Sequence, residues 1–175
     1  MNNTKTKTKS YLFAAIGFLL TLALDQWTKY LASTILRRLE SFSLISGVFE
    51  LRYLENRGAA FGIMQNRQIV FVVGGIIILA VILYLYQKMP FTPHYRPLRI
   101  CAVLLASGAV GNMIDRVKLD YVVDFFYFRL IDFPIFNVAD IYVTCGITVM
   151  VFLMFFRYKE ENDFDFLKPG NKSAR

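Results

Sequence analysis

Two aspartates sixteen positions apart offer the most direct route to chemistry in this chain: Asp124 in the run YVVDFFYF and Asp140 in the run FNVAD. Both stand among apolar and aromatic neighbours, where an ionisable group is costly unless it is paired, wetted or used. Two carboxylates held close cannot both ionise readily, so one pKa rises and the pair keeps a single proton over a useful pH range. The ionised member can take a proton from water as it attacks a carbonyl, while the protonated member donates to the carbonyl oxygen. Such hydrolysis needs no metal and no cofactor. The other routes are poorly supplied. The only histidine, His94, lies in the basic loop KMPFTPHYRPLR and belongs to no HExxH motif, and Cys101 and Cys145 have neither a CxxC partner nor a nearby histidine. Lys29 and Ser33 stand at i, i+4 and could form a Ser/Lys dyad, but that leaves Asp124 and Asp140 without a role.

The elements that must position these acids are membrane helices. The chain has 175 residues, 56% of them hydrophobic, and a mean hydropathy of +0.45. Its apolar runs predict helices over about 11–32, 69–86, 98–115 and 136–156. The first run follows Lys5, Lys7 and Lys9 and looks like a signal peptide, but the polar stretch DQWTK continues the helix and three more spans follow, so it reads as a retained helix. Between the first two spans, Phe49, Leu51 and Tyr53 alternate with Glu50 and Arg52, the period of a half-buried strand, and 56–62 reads as a loop of small residues. The expected fold is a mainly α membrane protein: a four-transmembrane-helix bundle with a small extracytoplasmic β-like cradle lying on the membrane. Residues 1–157 form one integral domain and 158–175 a charged, mobile tail.

The net charge of +7 comes from bases at span ends, in loops and in the tail, which points to membrane lipids and away from nucleic acid. Eleven of the twenty Lys and Arg residues fall on the side of the termini, which leans toward cytoplasmic termini. Parity then puts Asp25, Lys29, Asn56, Asn112, Asp115, Arg116, Asn137 and Asp140 at one membrane face, the extracytoplasmic one. Gly108, Gly111, Asn112 and Asp115 share one helical face, as do Asn137, Asp140 and Thr144. Each has a plainer role available: close helix packing for the glycines, an N-cap for Asn137, and a salt bridge from Asp124 to Arg116, Lys118 or Arg129. Asp25 and Lys29 are spaced for a helical ion pair. Arg116 could pair with Asp115 or steady the acids.

The motifs LDQWTK (24–29), ENRGAAFG (55–62), GNMIDR (111–116), VVDF (122–125) and FNVAD (136–140), in this order, resemble those of lipoprotein signal peptidases, the signal peptidase II family. The resemblance implies a bacterial inner-membrane aspartyl protease that cuts prolipoproteins before a diacylglyceryl-modified cysteine. By motif position it makes Asp124 and Asp140 the catalytic dyad, with Asn112, Arg116 and Asn137 in support. It further implies that Asn56, Gly108 and Ala139 line the substrate site, that Asp25 and Lys29 brace helix one, and that Asp115 is structural. The expected partners are lipid-modified prolipoproteins and membrane lipids, with the chain a monomer. A proton-coupled transporter using the same acids as a relay is the alternative, and it would want polar residues running through the spans. Asp124 and Asp140 belong to different elements, so 119–134 is expected to move as the pair closes over substrate.

Overall fold

In the computed structural model, which describes residues 2–58 and 67–168, four helices are long and apolar enough to cross a membrane, 6–39, 68–88, 93–119 and 138–156. Residues 59–62 of the expected small-residue loop lie outside the described residues. Helix α1 (Asn2–Leu31) continues through a π-helical segment, Ala32–Leu36, and a last turn, Arg37–Leu39. The hydroxyls of Ser33 and Thr34 donate to the carbonyls of Lys29 and Tyr30, at 2.8 and 2.9 Å. Such back-bonding competes with the regular ladder and accompanies the widened turn.

Helices α2 (Gln68–Lys88), α3 (Arg96–Leu119) and α4 (Val138–Phe156) complete the bundle. Helix α3 is the inner one, burying residues from Leu98 to Asp115 along its length, whereas α2 buries only Tyr86. The exposed apolar side chains of α1, α2 and α4, such as Phe13, Leu20, Ile77 and Phe155, present the surface that a bilayer would cover. Two small residues set the α3–α4 distance. A Cβ on Gly108 would stand 2.6 Å from the Ala139 carbonyl oxygen and 2.8 Å from Val143. Both residues are buried at this contact.

The strand-like segment is a hairpin of β1 (Ser41–Ile45) and β2 (Phe49–Asn56), turning at Gly47 with φ 71°. A third strand, β3 (Val122–Tyr127), pairs antiparallel with β2, setting Leu54 opposite Asp124 and Asn56 opposite Val122. Helix α3 ends at Asp120, whose left-handed φ of 64° turns the chain back into β3. The segment leading to α4 is tied to β3, since the Phe136 carbonyl accepts from Phe125 and Phe126, at 3.0 and 2.8 Å. Glu50, on the polar side of the alternation, is nonetheless buried, because Arg129 reaches it at 2.7 Å.

The segment expected as a tail begins at residue 158, and its first part is docked. Residues 158–168 pack against the end of the bundle: Tyr158 and Phe166 are buried with Tyr86, Met89 and Leu98. Asp163 is held by His94 Nε2 at 2.8 Å and, through its carbonyl, by the Tyr95 hydroxyl at 2.9 Å. The charges of this stretch suggest solvent, but its interleaved Tyr158, Phe164 and Phe166 supply the apolar surface that docks it.

Gly108→Ala is expected to destabilise the bundle by about 1–3 kcal/mol, because the added methyl has backbone, not a flexible side-chain end, in its way. Thermal unfolding in detergent should show a lowered midpoint, and an unchanged midpoint would refute the close α3–α4 approach.

Candidate active site

The polar ends of α1, α3 and α4 meet β2 and β3 at one end of the bundle, and the deepest part of this junction is an ion cluster. Lys29, 3% exposed, places its ammonium 3.1 Å from Asp25 Oδ2, 3.0 Å from Asp115 Oδ2 and 2.8 Å from Asn112 Oδ1. An ammonium has three N–H donors, and all three are matched. The remaining acceptors are used as well. Asp25 Oδ1 accepts from the Ala139 backbone N–H at 2.9 Å, and Asp115 Oδ2 accepts from that of Val123 at 3.2 Å. Gln26 Nε2 donates to Asp25 and Asp115, both at 3.1 Å. Gly111 is required here, since a Cβ would fall on the Asp25 carboxylate. Asp25 and Lys29 thus do form the spaced pair, and Asp115 joins it as a second carboxylate on the ammonium.

Above this cluster stand the two candidate catalytic acids. Asp124 is buried, at 1% exposure, and Asp140 half-buried. Asp124 Oδ2 accepts from Asn56 Nδ2 at 2.8 Å and its Oδ1 from Asn137 Nδ2 at 2.6 Å. Asp140 Oδ1 accepts from Asn112 Nδ2 at 2.8 Å and its Oδ2 from the Asn137 backbone N–H at 3.1 Å. One residue therefore bonds to both carboxylates. Asn137 is also the N-cap of α4, its Oδ1 accepting from the Asp140 N–H at 3.0 Å, so the capping box supplies the Asp140 arm of the bridge and the side-chain amide the Asp124 arm. The orientation of Asn112 follows from the cluster beneath: Lys29 and Asn137 both donate to its Oδ1, which leaves its Nδ2 for Asp140.

Burial, first, and then the neighbouring Asp140 charge push the Asp124 carboxyl up to about 7, against the donors from Asn56 and Asn137 that favour its ionised form. The structure therefore provides the asymmetry that acid–base work requires: a buried acid that holds its proton near neutral pH, next to a more accessible carboxylate.

The other sequence candidates separate clearly. Asn56 reaches the site through β2, and its Oδ1 accepts from the Gly58 N–H at 3.0 Å, fixing the side chain. Arg116 forms no ion pair with Asp115, Asp124 or Asp140 among the described residues. It stacks 4.7 Å from the Phe71 ring and reaches the Asn112 and Gly58 carbonyls at 3.4 Å, with its Nε unpartnered. The salt bridges proposed for Asp124 are not formed, and Arg129 serves Glu50 instead. Ser33 donates to the Lys29 carbonyl, and the Lys29 ammonium is fully committed elsewhere, so the Ser/Lys dyad is not assembled. Gln26 was not among the sequence candidates. Its position beside Asp25 at a helix end was the available signal, but only the fold shows that it also reaches α3. No group of three or more metal-ligating side chains occurs among the described residues.

Fold and site together define a polytopic membrane protein with amide-held, paired carboxylates at one end of its helix bundle, the equipment of a membrane hydrolase. The family model described as signal peptidase (SPase) II matches residues 17–156. A lipoprotein signal peptidase of Caldanaerobacter subterraneus is 42% identical over 135 residues, covering 77% of this chain and 90% of the relative. That of Streptococcus thermophilus is 40% identical over 151 residues, covering 84% and 93%, and that of Clostridioides difficile 39% over 142 residues, covering 81% and 94%. A bacterial membrane enzyme solved by the in meso method superposes with a TM-score of 0.74 at 31% identity, over 85% of this chain and 92% of that one. The chain belongs to the signal peptidase II family, and it is a protease.

Lys29→Met would leave Asp25 and Asp115 buried without their cation, at a cost of about 3–5 kcal/mol. The expected result is a large fall in the unfolding midpoint, partly recovered when Asp25→Asn and Asp115→Asn are added. A near-normal midpoint for Lys29→Met alone would refute the cluster's structural role. Asn137→Ala should cost about 0.5–2 kcal/mol for the lost cap, and peptidase activity should fall by more than the folded fraction does.

Proposed function

We propose that this protein removes signal peptides from prolipoproteins as an aspartic endopeptidase, with Asp124 and Asp140 as the catalytic pair, cutting before a diacylglyceryl-modified cysteine. The observation that carries the assignment of the pair is the bridge through Asn137, which bonds to both carboxylates at the junction of bundle and sheet. The relatives' shared designation as lipoprotein signal peptidases supports the substrate class. Asp140, half-buried, takes a proton from the attacking water. Asp124 holds the shared proton and donates it to the scissile carbonyl oxygen as the tetrahedral intermediate forms. Collapse then delivers the proton gained by Asp140 to the leaving amine while a hydroxyl of the tetrahedral intermediate returns its proton to Asp124 as the carboxyl product forms, which restores the pair to its starting state.

Asn56, Asn112 and Asn137 support this cycle by holding each carboxylate in a fixed orientation. Arg116 contributes a nearby positive charge without a direct bond to either acid. The proposed placement is the bacterial inner membrane, with both termini cytoplasmic, the pair at the extracytoplasmic face and the sheet along the membrane surface, where a lipid-anchored substrate meets it. The exposed Phe42, Leu44 and Ile45 of β1 give the sheet an apolar edge suited to that surface. The chain works as a monomer, against membrane lipids and without nucleic acid. A transporter reading gains no support, because the hydrogen-bonded acids and amides lie toward the ends of the bundle and α2 crosses with a mean hydropathy of 2.9. Movement within 119–134 on substrate entry would have to respect the ties of β3 to β2 and Phe136, and to release those of the turn Arg129–Ile131 to Glu50 and Val48.

Asp124→Asn and Asp140→Asn should each lower cleavage of a diacylglyceryl prolipoprotein in a reconstituted assay by about 10²–10⁴-fold or more, while the unfolding midpoint stays near that of the wild type. Near-normal cleavage by either variant would end the dyad assignment. The Asp124 pKa is raised, so its proton is present below about 7 and lost above it. The profile of kcat/KM should therefore fall as pH rises through that value. In Asp140→Asn the neighbouring charge is gone, and the Asp124 carboxyl band in infrared titration should disappear at lower pH.

A further inference from the structure

At the opposite end of the bundle from the paired acids, α1, the start of α3 and the loop between α2 and α3 enclose a cavity of about 660 Å³. Lys9, Arg96 and Arg99 line its polar part, and Phe13, Gly17 and Val103 its apolar part. Among the described residues no acidic side chain lines it.

Arg99 is the unusual member. It is 5% exposed, yet among the described residues its Nε and Nη1 have no hydrogen-bond partner, and Nη2 donates to the Met89 carbonyl at 2.5 Å. Its guanidinium lies 3.7 Å from the Phe91 ring centre and 4.5 Å from that of Tyr86. Stacking engages the face of a guanidinium and leaves its edge donors for oxygens in the same plane, the geometry suited to phosphate. A buried cation with unused donors is costly unless a ligand supplies the acceptors. The exposed Lys9 and Arg96 add positive charge at the mouth.

The apolar part follows the helices. Along α1 the lining runs from Thr6 to Thr21, about 22 Å at 1.5 Å per residue, the reach of an extended acyl chain. We propose that this cavity binds an anionic phospholipid, its phosphate on Arg99, Arg96 and Lys9 and one acyl chain along α1 and α3. The leading residues of a signal peptide are basic and would be repelled by these three cations, so the cavity is not a seat for that part of a substrate.

The test uses the full-length protein in detergent and native mass spectrometry with dioleoyl phosphatidylglycerol, dioleoyl phosphatidylcholine and inorganic phosphate as separate probes. The wild type should retain phosphatidylglycerol about tenfold more tightly than phosphatidylcholine. Arg99→Gln should lose the preference. Because that change is buried, the exposed double variant Lys9→Gln/Arg96→Gln provides the second reading: it should weaken the preference at an unchanged unfolding midpoint. Equal retention of the two lipids by the wild type, or a full preference in both variants, would overturn the proposal. So would displacement of phosphatidylglycerol by millimolar inorganic phosphate, which would make the cavity a site for the free anion. None of these outcomes depends on the catalytic pair.

Discussion

The ammonium of Lys29, desolvated among Asp25, Asp115 and Asn112, is the contact on which the rest of the structure depends. Charges removed from water are tolerable only when each donor and acceptor is met at close range, and here the groups that meet are drawn from four elements. Lys29 and Asp25 belong to α1, and Asp115 and Asn112 to α3. The same carboxylates receive the Val123 N–H of β3 and the Ala139 N–H of α4. A shift of any one element would strand a buried charge. The cluster therefore works as a lock among α1, α3, β3 and α4, and Gly111 is the residue that leaves room for it.

The acids above are positioned by that lock and not by their own charge. Lys29 determines which way the Asn112 amide points, and Asn112 in turn donates to Asp140. Asn137 ties the start of α4 to Asp124 in β3. Two like charges would otherwise push these elements apart. Neutral amide donors hold them together without fully neutralising them, and for Asp124 burial and the Asp140 charge still outweigh those donors. An arginine or lysine bonded directly to Asp124 would have pulled its pKa down and removed the proton that the chemistry needs. The stacking of Arg116 on Phe71, with no bond to either carboxylate, is consistent with that requirement.

The bundle is thus polarised in its chemistry. One end concentrates acids and amides. The other closes with aromatic rings, where Tyr95 and Tyr158 stack 5.8 Å apart and His94 meets both edge-on. Between them α2 and the outer faces of α1 and α4 carry little but apolar surface, so the hydrogen-bonded polar clusters are confined to the two ends, where the membrane interfaces fall.

Much of this was legible from the residues alone. Long apolar runs between polar clusters determined four spans, because a bilayer requires about twenty apolar residues per helix. Parity then placed Asp25, Lys29, Asn56, Asn112, Asn137 and Asp140 at one end, and the alternation at 49–53 announced β2. The docking of 158–168 was hidden because the charges of that stretch masked its aromatic residues. The depth of Asp115, the engagement of Gln26 and the burial of Glu50 were hidden for another reason. Each depends on a partner 79 or more positions away, Lys29, Asp115 and Arg129 respectively. Spacing along a chain reports which residues share a face of one element, and it says nothing about which face of another element will meet them. Asn137 shows the division best: its place before α4 marks it as a cap from sequence, but only the packing of β3 against that helix start makes the cap a bridge between two acids.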